Sequence, residues 1–348
     1  MAIKVLIVDD SATAREMIKM ALEEDRQIEV IATAPDAFVA RDLIVKLRPD
    51  VICLDVEMPR MDGVTFLRKI MMHLPIPIVM VSSLTVKGAK TTLDALNFGA
   101  FDFVAKPHSN IYDGINDMKD ELVYKVKQAS YANALQLQAT LKRTLSKNPI
   151  KQYTLGVTTQ KIVAIGASTG GTTALQSLLQ TLPKDFPGIV IVQHMPGTFT
   201  QKFANRLNEV CQIDVKEAVS GDKILTGQAL IASGDYHLKV VRRGGFYHVK
   251  FSDEEKVSGH KPSVNVLFDS VATSASSNAI GVILTGMGND GANGMKKLHD
   301  SGAKTIAQDE KTSVVFGMPK VAIEKGGIDF VLPLDDIPKK LIALLKKG

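Results

Sequence analysis

Lys4-Val-Leu-Ile-Val-Asp-Asp10 is an apolar run that stops on two carboxylates, and a helical pattern starts two residues later at Ala12. Val51-Ile-Cys-Leu-Asp55 repeats the device, and Phe101-Asp-Phe-Val-Ala-Lys-Pro107 closes on Lys-Pro. Working outward from these runs, strands read at 4–8, 29–32, 51–54, 76–81 and 101–104. Helical stretches begin at Ala12, Asp36, Val64 and near Lys87. Strands alternating with helices in this way predict a parallel sheet covered by helices on both faces. A longer helix follows, because Ile115, Met118, Leu122, Val126 and Ala129 keep three-four spacing.

A second alternating series begins at Lys161, with strands expected at 162–165, 189–192 and 279–285. Gly-punctuated runs at 236–241 and 246–251, within 229–252, predict antiparallel hairpins. Periodicity is lost over 142–160, which holds Pro149 and Gly156. The expected class is therefore α/β: two doubly wound domains with mainly parallel sheets, the second carrying an antiparallel hairpin region. The domains are placed at 1–125 and 161–348, with a helix and basic linker at 126–160.

A chain of 348 residues suits two cores better than one. At 45% hydrophobic and 23% charged, its composition is that of ordinary globular domains. Residues Met1 to Val8 lack the basic stretch and long apolar core of a secretory signal. No run approaches the roughly 20 apolar residues of a membrane span. Cys53 and Cys211, one in each half, read as buried and reduced. These features point to the cytoplasm and to no membrane insertion. The net charge of +5 and the absence of Trp give no support to a nucleic-acid partner. No acidic residue falls between Glu121 and Asp185, while Lys125, Lys127, Lys142, Arg143, Lys147, Lys151 and Lys161 lie in that window. A solvated basic linker is the favoured reading, with a contact to an acidic partner surface as the alternative.

In an open parallel sheet, ligands bind outside the carboxyl ends of the strands. Asp9, Asp10 and Asp55 all stand there, and converging carboxylates repel unless a hard cation sits among them. Mg²⁺, which takes oxygen ligands and bridges to phosphate, meets that need. Lys106 offers a positive charge to a carboxylate or a phosphoryl group, and Ser82, in preference to Ser83, ends the fourth strand with a hydroxyl. Helix capping accounts for Asp10 taken alone but not for all of these residues together. With Met58-Pro59, Asp62-Gly63 and Gly99-Ala100, this set resembles the receiver domains of bacterial two-component response regulators, over residues 1 to about 125. The resemblance implies a flavodoxin-like fold, Asp55 as phosphoacceptor and a histidine kinase as phosphodonor. It further implies Asp9, Asp10 and Asp55 at Mg²⁺, Ser82 and Lys106 as the switch pair, and a cis peptide before Pro107.

In the second half, Ile162-Val-Ala-Ile165 leads into Gly166-Ala-Ser168-Thr-Gly-Gly171. A Ser between glycines at a strand-to-helix turn is exposed beside helix amides, as in nucleophile elbows, though a phosphate-cradling loop or a Ser-capped turn fits too. His194 alone of seven histidines closes a continuous apolar strand; His237 and His260 fall near turns. The strand at 279–285 runs into Gly286-Met-Gly-Asn-Asp290-Gly291, with Asp309 about 20 residues on, which also fits a dinucleotide fingerprint. Against that rival, Asp290 would sit in the pyrophosphate cradle and repel the phosphates. If the three strand ends share one edge, Ser168, His194 and Asp290 form a nucleophile, base and orienter in the chain order Ser…His…Asp. That order differs from the α/β-hydrolases.

These segments, with Gln193-His-Met-Pro196, resemble the catalytic domain of chemotaxis protein-glutamate methylesterases. The resemblance implies a Rossmann-like hydrolase domain with Ser168, His194 and Asp290 as triad and the Met287 amide as oxyanion donor. It implies hydrolysis of glutamyl methyl esters on methyl-accepting chemoreceptors and deamidation of certain receptor glutamines, with no cofactor for hydrolysis. The attached receiver is expected to block the esterase cleft until Asp55 is phosphorylated.

Overall fold

The computed structural model describes residues 2–82, 86–106, 111–132 and 160–346, with backbone alone at 86–87 and 111–117. The peptide before Pro107, the alternative hydroxyl Ser83, the side chain of Ile115, and Lys142, Arg143, Lys147 and Lys151 lie outside the described residues. The chain divides into two compact units, Met1–Lys147 and Asn148–Gly348.

The first unit holds strands β1 (Ile3–Val8), β2 (Ile28–Ala34), β3 (Val51–Asp55), β4 (Ile78–Ser82) and β5 (Asp102–Ala105). All pair in parallel, in the order β2-β1-β3-β4-β5, which is the flavodoxin-like order. β3 and β4 are buried at every position, because a central parallel strand between two helical layers has no solvent face. The helices are α1 (Ala12–Glu23), α2 (Ala37–Leu47), α3 (Gly63–His73), α4 (Val86–Asn97) and α5 (Ile111–Tyr131). Ser11, Asp36 and Asp62 cap the first three by accepting backbone N–H bonds. Asp10 is thus not the cap of α1; it stays exposed, available for other chemistry.

α5 runs past residue 125, the expected end of the first domain, because its apolar stripe continues: Leu122, Val126 and Ala129 are fully buried. Two lysines of the acid-free window are neutralised within this unit. Lys125 pairs with Glu121 at 2.6 Å and Asp102 at 3.4 Å, and Lys127 pairs with Asp25 on the turn after α1. Neither is therefore spare for an acidic partner.

In the second unit the strands are β6 (Ile162–Ala167), β7 (Ile189–Gln193), β8 (Asp214–Glu217), β9 (Gln228–Ile231), β10 (His237–Arg243), β11 (Phe246–Ser252), β12 (Ala279–Ile283), β13 (Lys304–Gln308) and β14 (Phe330–Leu332). Seven of them form one parallel sheet in the order β14-β13-β12-β6-β7-β9-β8, and β10 and β11 form the expected antiparallel hairpin. Residues 228–231 depart from the antiparallel reading of 229–252: β9 pairs in parallel with β7 and β8. β8 and β14 sit at the edges and are too short, at 4 and 3 residues, to show a period of their own. The helices are α6 (Gly171–Leu179), α7 (Gly197–Val210), α8 (Val264–Ser274), α9 (Ala292–Asp300), α10 (Met318–Glu324) and α11 (Ile337–Lys346). Val264, Leu267, Phe268 and Val271 of α8 are fully buried in the core that contains β6 and β12 residues, each worth about 1.5–3 kcal/mol of transfer free energy. The three central strands β12, β6 and β7 are adjacent, so their carboxyl ends share one edge.

Among the described residues no helix is long and apolar enough to cross a membrane. Burial pushes the thiols of both Cys53 and Cys211 up to about 12, which leaves them protonated and inert.

Candidate active site and phosphorylation site

Ser168 follows β6 directly and His194 follows β7 directly, while Asp290 lies in the loop between β12 and α9. Backbone bonds lock the three ends together. Ser168 donates its N–H to the Thr285 carbonyl at 3.1 Å, and His194 donates its own to the Ala167 carbonyl at 3.1 Å. His194 Nε2 lies 2.8 Å from Asp290 Oδ2 and His194 Nδ1 lies 3.2 Å from Ser168 Oγ. An ionised carboxylate only accepts, so Nε2 carries the proton and the Nδ1 lone pair faces the Ser168 hydroxyl. The ring is thus used the opposite way round from the familiar triad, in which Nε2 meets the serine.

Asp290 is 1% exposed yet fully satisfied. Its Oδ1 accepts from Ser263 Oγ at 2.7 Å and the Asn265 amide at 3.2 Å; its Oδ2 accepts from the Val264 amide at 2.6 Å as well as from His194. The carboxylate therefore rests on the N-terminus of α8, where orphan N–H groups and the helix dipole favour negative charge. Burial works against its ionisation, but the His194 bond and charge, the Ser263 hydroxyl and the Val264 amide outweigh it and hold the carboxyl below its ordinary range. Gln193, which precedes the histidine, donates through Nε2 to the Ser168 and His194 carbonyls at 3.0 and 3.2 Å.

Met287 is buried and follows Gly286, where a side chain would bring a Cβ to 2.9 Å from Ser168 Cβ and onto Met318 Sδ. Only glycine lets this loop run against the serine, and the Met287 amide is the next one along the chain. The rest of the glycine pattern also has a packing cause. Gly291 caps α9 at φ 89°, and a Cβ there would meet Val264. Asp309, the acid of the dinucleotide alternative, accepts from the Thr312 amide at 3.0 Å and closes a local turn.

In the first unit, Asp9, Asp10 and Asp55 each offer a carboxylate oxygen, all within 4.8 Å of one another. Lys106 Nζ bridges Asp9 at 2.7 Å and Asp55 at 3.0 Å. Lys106 also donates its backbone N–H to the Ser82 carbonyl, and the buried Ser82 hydroxyl accepts from Thr92 Oγ1 at 2.7 Å. Burial pushes the Asp55 carboxyl up to about 6; the Lys106 charge opposes this and the Asp9 charge adds to it. An all-oxygen donor set that is half-occupied by one ammonium suits a hard divalent cation.

Several site residues carry no sequence signal of their role. Ser263 stands before a helical run as an N-cap should, but nothing local shows that α8 points at Asp290. His260, read as a turn residue, stacks on His194 with ring centroids 3.8 Å apart and planes 14° apart. His237, also read as lying near a turn, opens β10 directly after one. It is fully buried behind Ser263, whose N–H it accepts at Nδ1 at 3.1 Å.

A receiver-type sheet joined to a second parallel sheet with a Ser-His-Asp cluster on its edge defines the class, a response regulator with a hydrolytic output domain. Residues 163–341 match the family model described as CheB methylesterase, and residues 5–112 the one described as response regulator receiver domain. The chain belongs to the CheB methylesterase family. A relative from Sulfurimonas denitrificans named protein-glutamate methylesterase/protein-glutamine glutaminase is 59% identical, covering 100% of this chain and 99% of its own. One of the same name from Salmonella typhimurium is 49% identical over 99% and 98%. The solved CheB methylesterase catalytic domain of Thermotoga maritima is 44% identical with a TM-score of 0.52, covering 54% of this chain and 100% of that one.

Proposed function

We propose that this chain is a phosphorylation-activated serine esterase that hydrolyses glutamate methyl esters, and deamidates glutamines, on chemoreceptors. The observation that carries the reading is the His194 ring, bonded on one side to Ser168 and on the other to a carboxylate held on a helix N-terminus. Ser168 Oγ attacks the ester carbonyl as His194 Nδ1 takes its proton, and Asp290 stabilises the imidazolium. The Met287 amide N–H donates to the carbonyl oxygen as negative charge develops there. As the tetrahedral intermediate collapses, Nδ1 gives the proton to the departing methoxide oxygen, releasing methanol, or to the departing amide nitrogen of a glutamine, releasing ammonia. The glutamyl group stays as an ester on Ser168 Oγ. Water, deprotonated by the same nitrogen, frees the glutamate and restores Ser168.

Asp55 is the phosphoacceptor, with a histidine kinase as donor. Asp9, Asp10 and Asp55 would hold Mg²⁺, whose charge offsets the phosphoryl oxygens during transfer. Lys106 pairs with the phosphoryl group and Ser82 supplies the switch hydroxyl. The receiver comprises residue 1 through α5, a linker follows, and residues 161–348 form the esterase; the site of action is the cytoplasm. The test is methanol release from methylated receptor membranes, with and without a small-molecule phosphodonor. Release that rises with phosphodonor and vanishes in Ser168→Ala supports the reading, and undiminished release in Ser168→Ala overturns it.

A further inference from the structure

His260 lies outside the triad, yet its ring covers a face of the His194 ring at 3.8 Å and 14°. The segment that carries it is built for that placement. Val257 and His260 exchange both backbone hydrogen bonds at 3.0 Å, closing a two-residue turn over Ser258 and Gly259, both at positive φ (55° and 81°). One limb is tied down by His237, which donates from Nε2 to the Glu255 carbonyl at 2.9 Å. The turn itself is tied by Asn265, which donates to Ser258 Oγ at 3.2 Å. One of these anchors also touches Asp290, and the other reaches it through Ser263. The Asn265 amide bonds Asp290, and the His237 ring accepts from Ser263, whose hydroxyl bonds the same carboxylate. One frame therefore fixes the position of the carboxylate and of the ring that covers the base.

Resting on the triad reading, we propose that His260 is a positioning residue: its flat ring holds the His194 imidazole in the plane that delivers Nδ1 to Ser168. Two in-line hydrogen bonds leave a ring free to rock about the line joining them, and at 3.2 Å the bond to Ser168 is the longer and weaker of the pair. A parallel ring stacked on one face opposes that rocking and keeps water off the base; the His194 side chain is 8% exposed. The stack itself is a contact between two flat rings.

The experiment uses the full-length, phosphodonor-activated protein and compares His260→Ala, His260→Leu and His260→Phe on one methylated receptor substrate. Ser168 labelling by a fluorophosphonate and thermal melting are measured alongside. His260→Ala should lower kcat by about 10- to 100-fold with KM within about twofold, since misplaced reacting groups cost rate rather than binding. His260→Leu should be similarly slow, His260→Phe should recover to within about threefold of the parent, and Ser168 labelling should follow kcat. An unchanged kcat in His260→Ala overturns the proposal. So does a folded His260→Phe as slow as the alanine variant, or a leucine variant as fast as the phenylalanine one. Ser168→Ala in the same assay separates this from a failure of the triad, which only full activity there would indicate.

Discussion

At Asp55, ionisation is opposed by burial, favoured by the Lys106 ammonium and opposed again by the Asp9 carboxylate, leaving the carboxyl near about 6. A carboxyl raised above its unfolded value makes the folded state bind the proton more tightly, so its charge costs stability above that pH. Asp55→Asn should therefore stabilise the receiver by about 2 kcal/mol at pH 7. The gain should fade as pH falls from 6 towards 4, as seen by urea unfolding across that range. A gain that persists at pH 4 would assign the effect to another group. In the triad, Ser168→Ala and His194→Ala should each bring turnover to near background without unfolding. Asp290→Asn replaces an acceptor with an amide among four donors. If that amide faces His194, the proton moves to Nδ1 and the base no longer accepts from Ser168. A loss of up to ~10⁴-fold in kcat is expected, with some loss of stability.

On the scale of elements, the N-terminus of α8 does two jobs: it starts a core helix and holds the Asp290 carboxylate. Ser263→Ala removes the helix cap and a donor to Asp290 Oδ1 together. It should cost about 1 kcal/mol in melting and about tenfold in kcat, whereas an ordinary cap loss would move melting alone. The loop after β12 is equally specified. Gly286→Ala drives a Cβ against Ser168 and Met318, so the loop that carries the Met287 amide must retreat. A fall in kcat of about 100-fold, with KM little changed, is the expected steady-state result.

For the whole molecule, two compact units carry two separate chemistries on the carboxyl edges of two parallel sheets. The Ser-His-Asp cluster lies wholly in the second unit, and on the proposed function the receiver's place in the chain is control. A fragment of residues 161–348 should hydrolyse receptor esters faster than the unphosphorylated full-length protein. A shift of ~3 kcal/mol on phosphorylation suffices for a change of roughly a hundredfold. Asp55→Asn should keep the basal rate and ignore the phosphodonor. EDTA should abolish activation of the full-length protein and leave the fragment's rate untouched. Equal initial rates for fragment and unphosphorylated protein would exclude simple inhibition by the receiver.

The sequence by itself determined the parallel α/β class, the acids and lysine at the receiver's strand ends, and Ser168, His194 and Asp290. Of these residues, all but Asp290 stand where an apolar run of strand length closes, and Asp290 stands in the Gly-rich loop that follows such a run; both patterns are local. The tertiary structure alone decided how those residues are used. His194 presents Nδ1 rather than Nε2 to the serine, Asp290 takes its charge support from the start of α8, and β9 joins the parallel sheet. The stacking of His260 on His194 belongs with these, as does the capture of Lys125 and Lys127 inside the receiver. Every one of these depends on residues far apart in the chain meeting through packed elements, with 26 positions between Ser168 and His194 and 96 between His194 and Asp290. Short-range periodicity shows that a side chain faces an edge, but not which side chain it meets there.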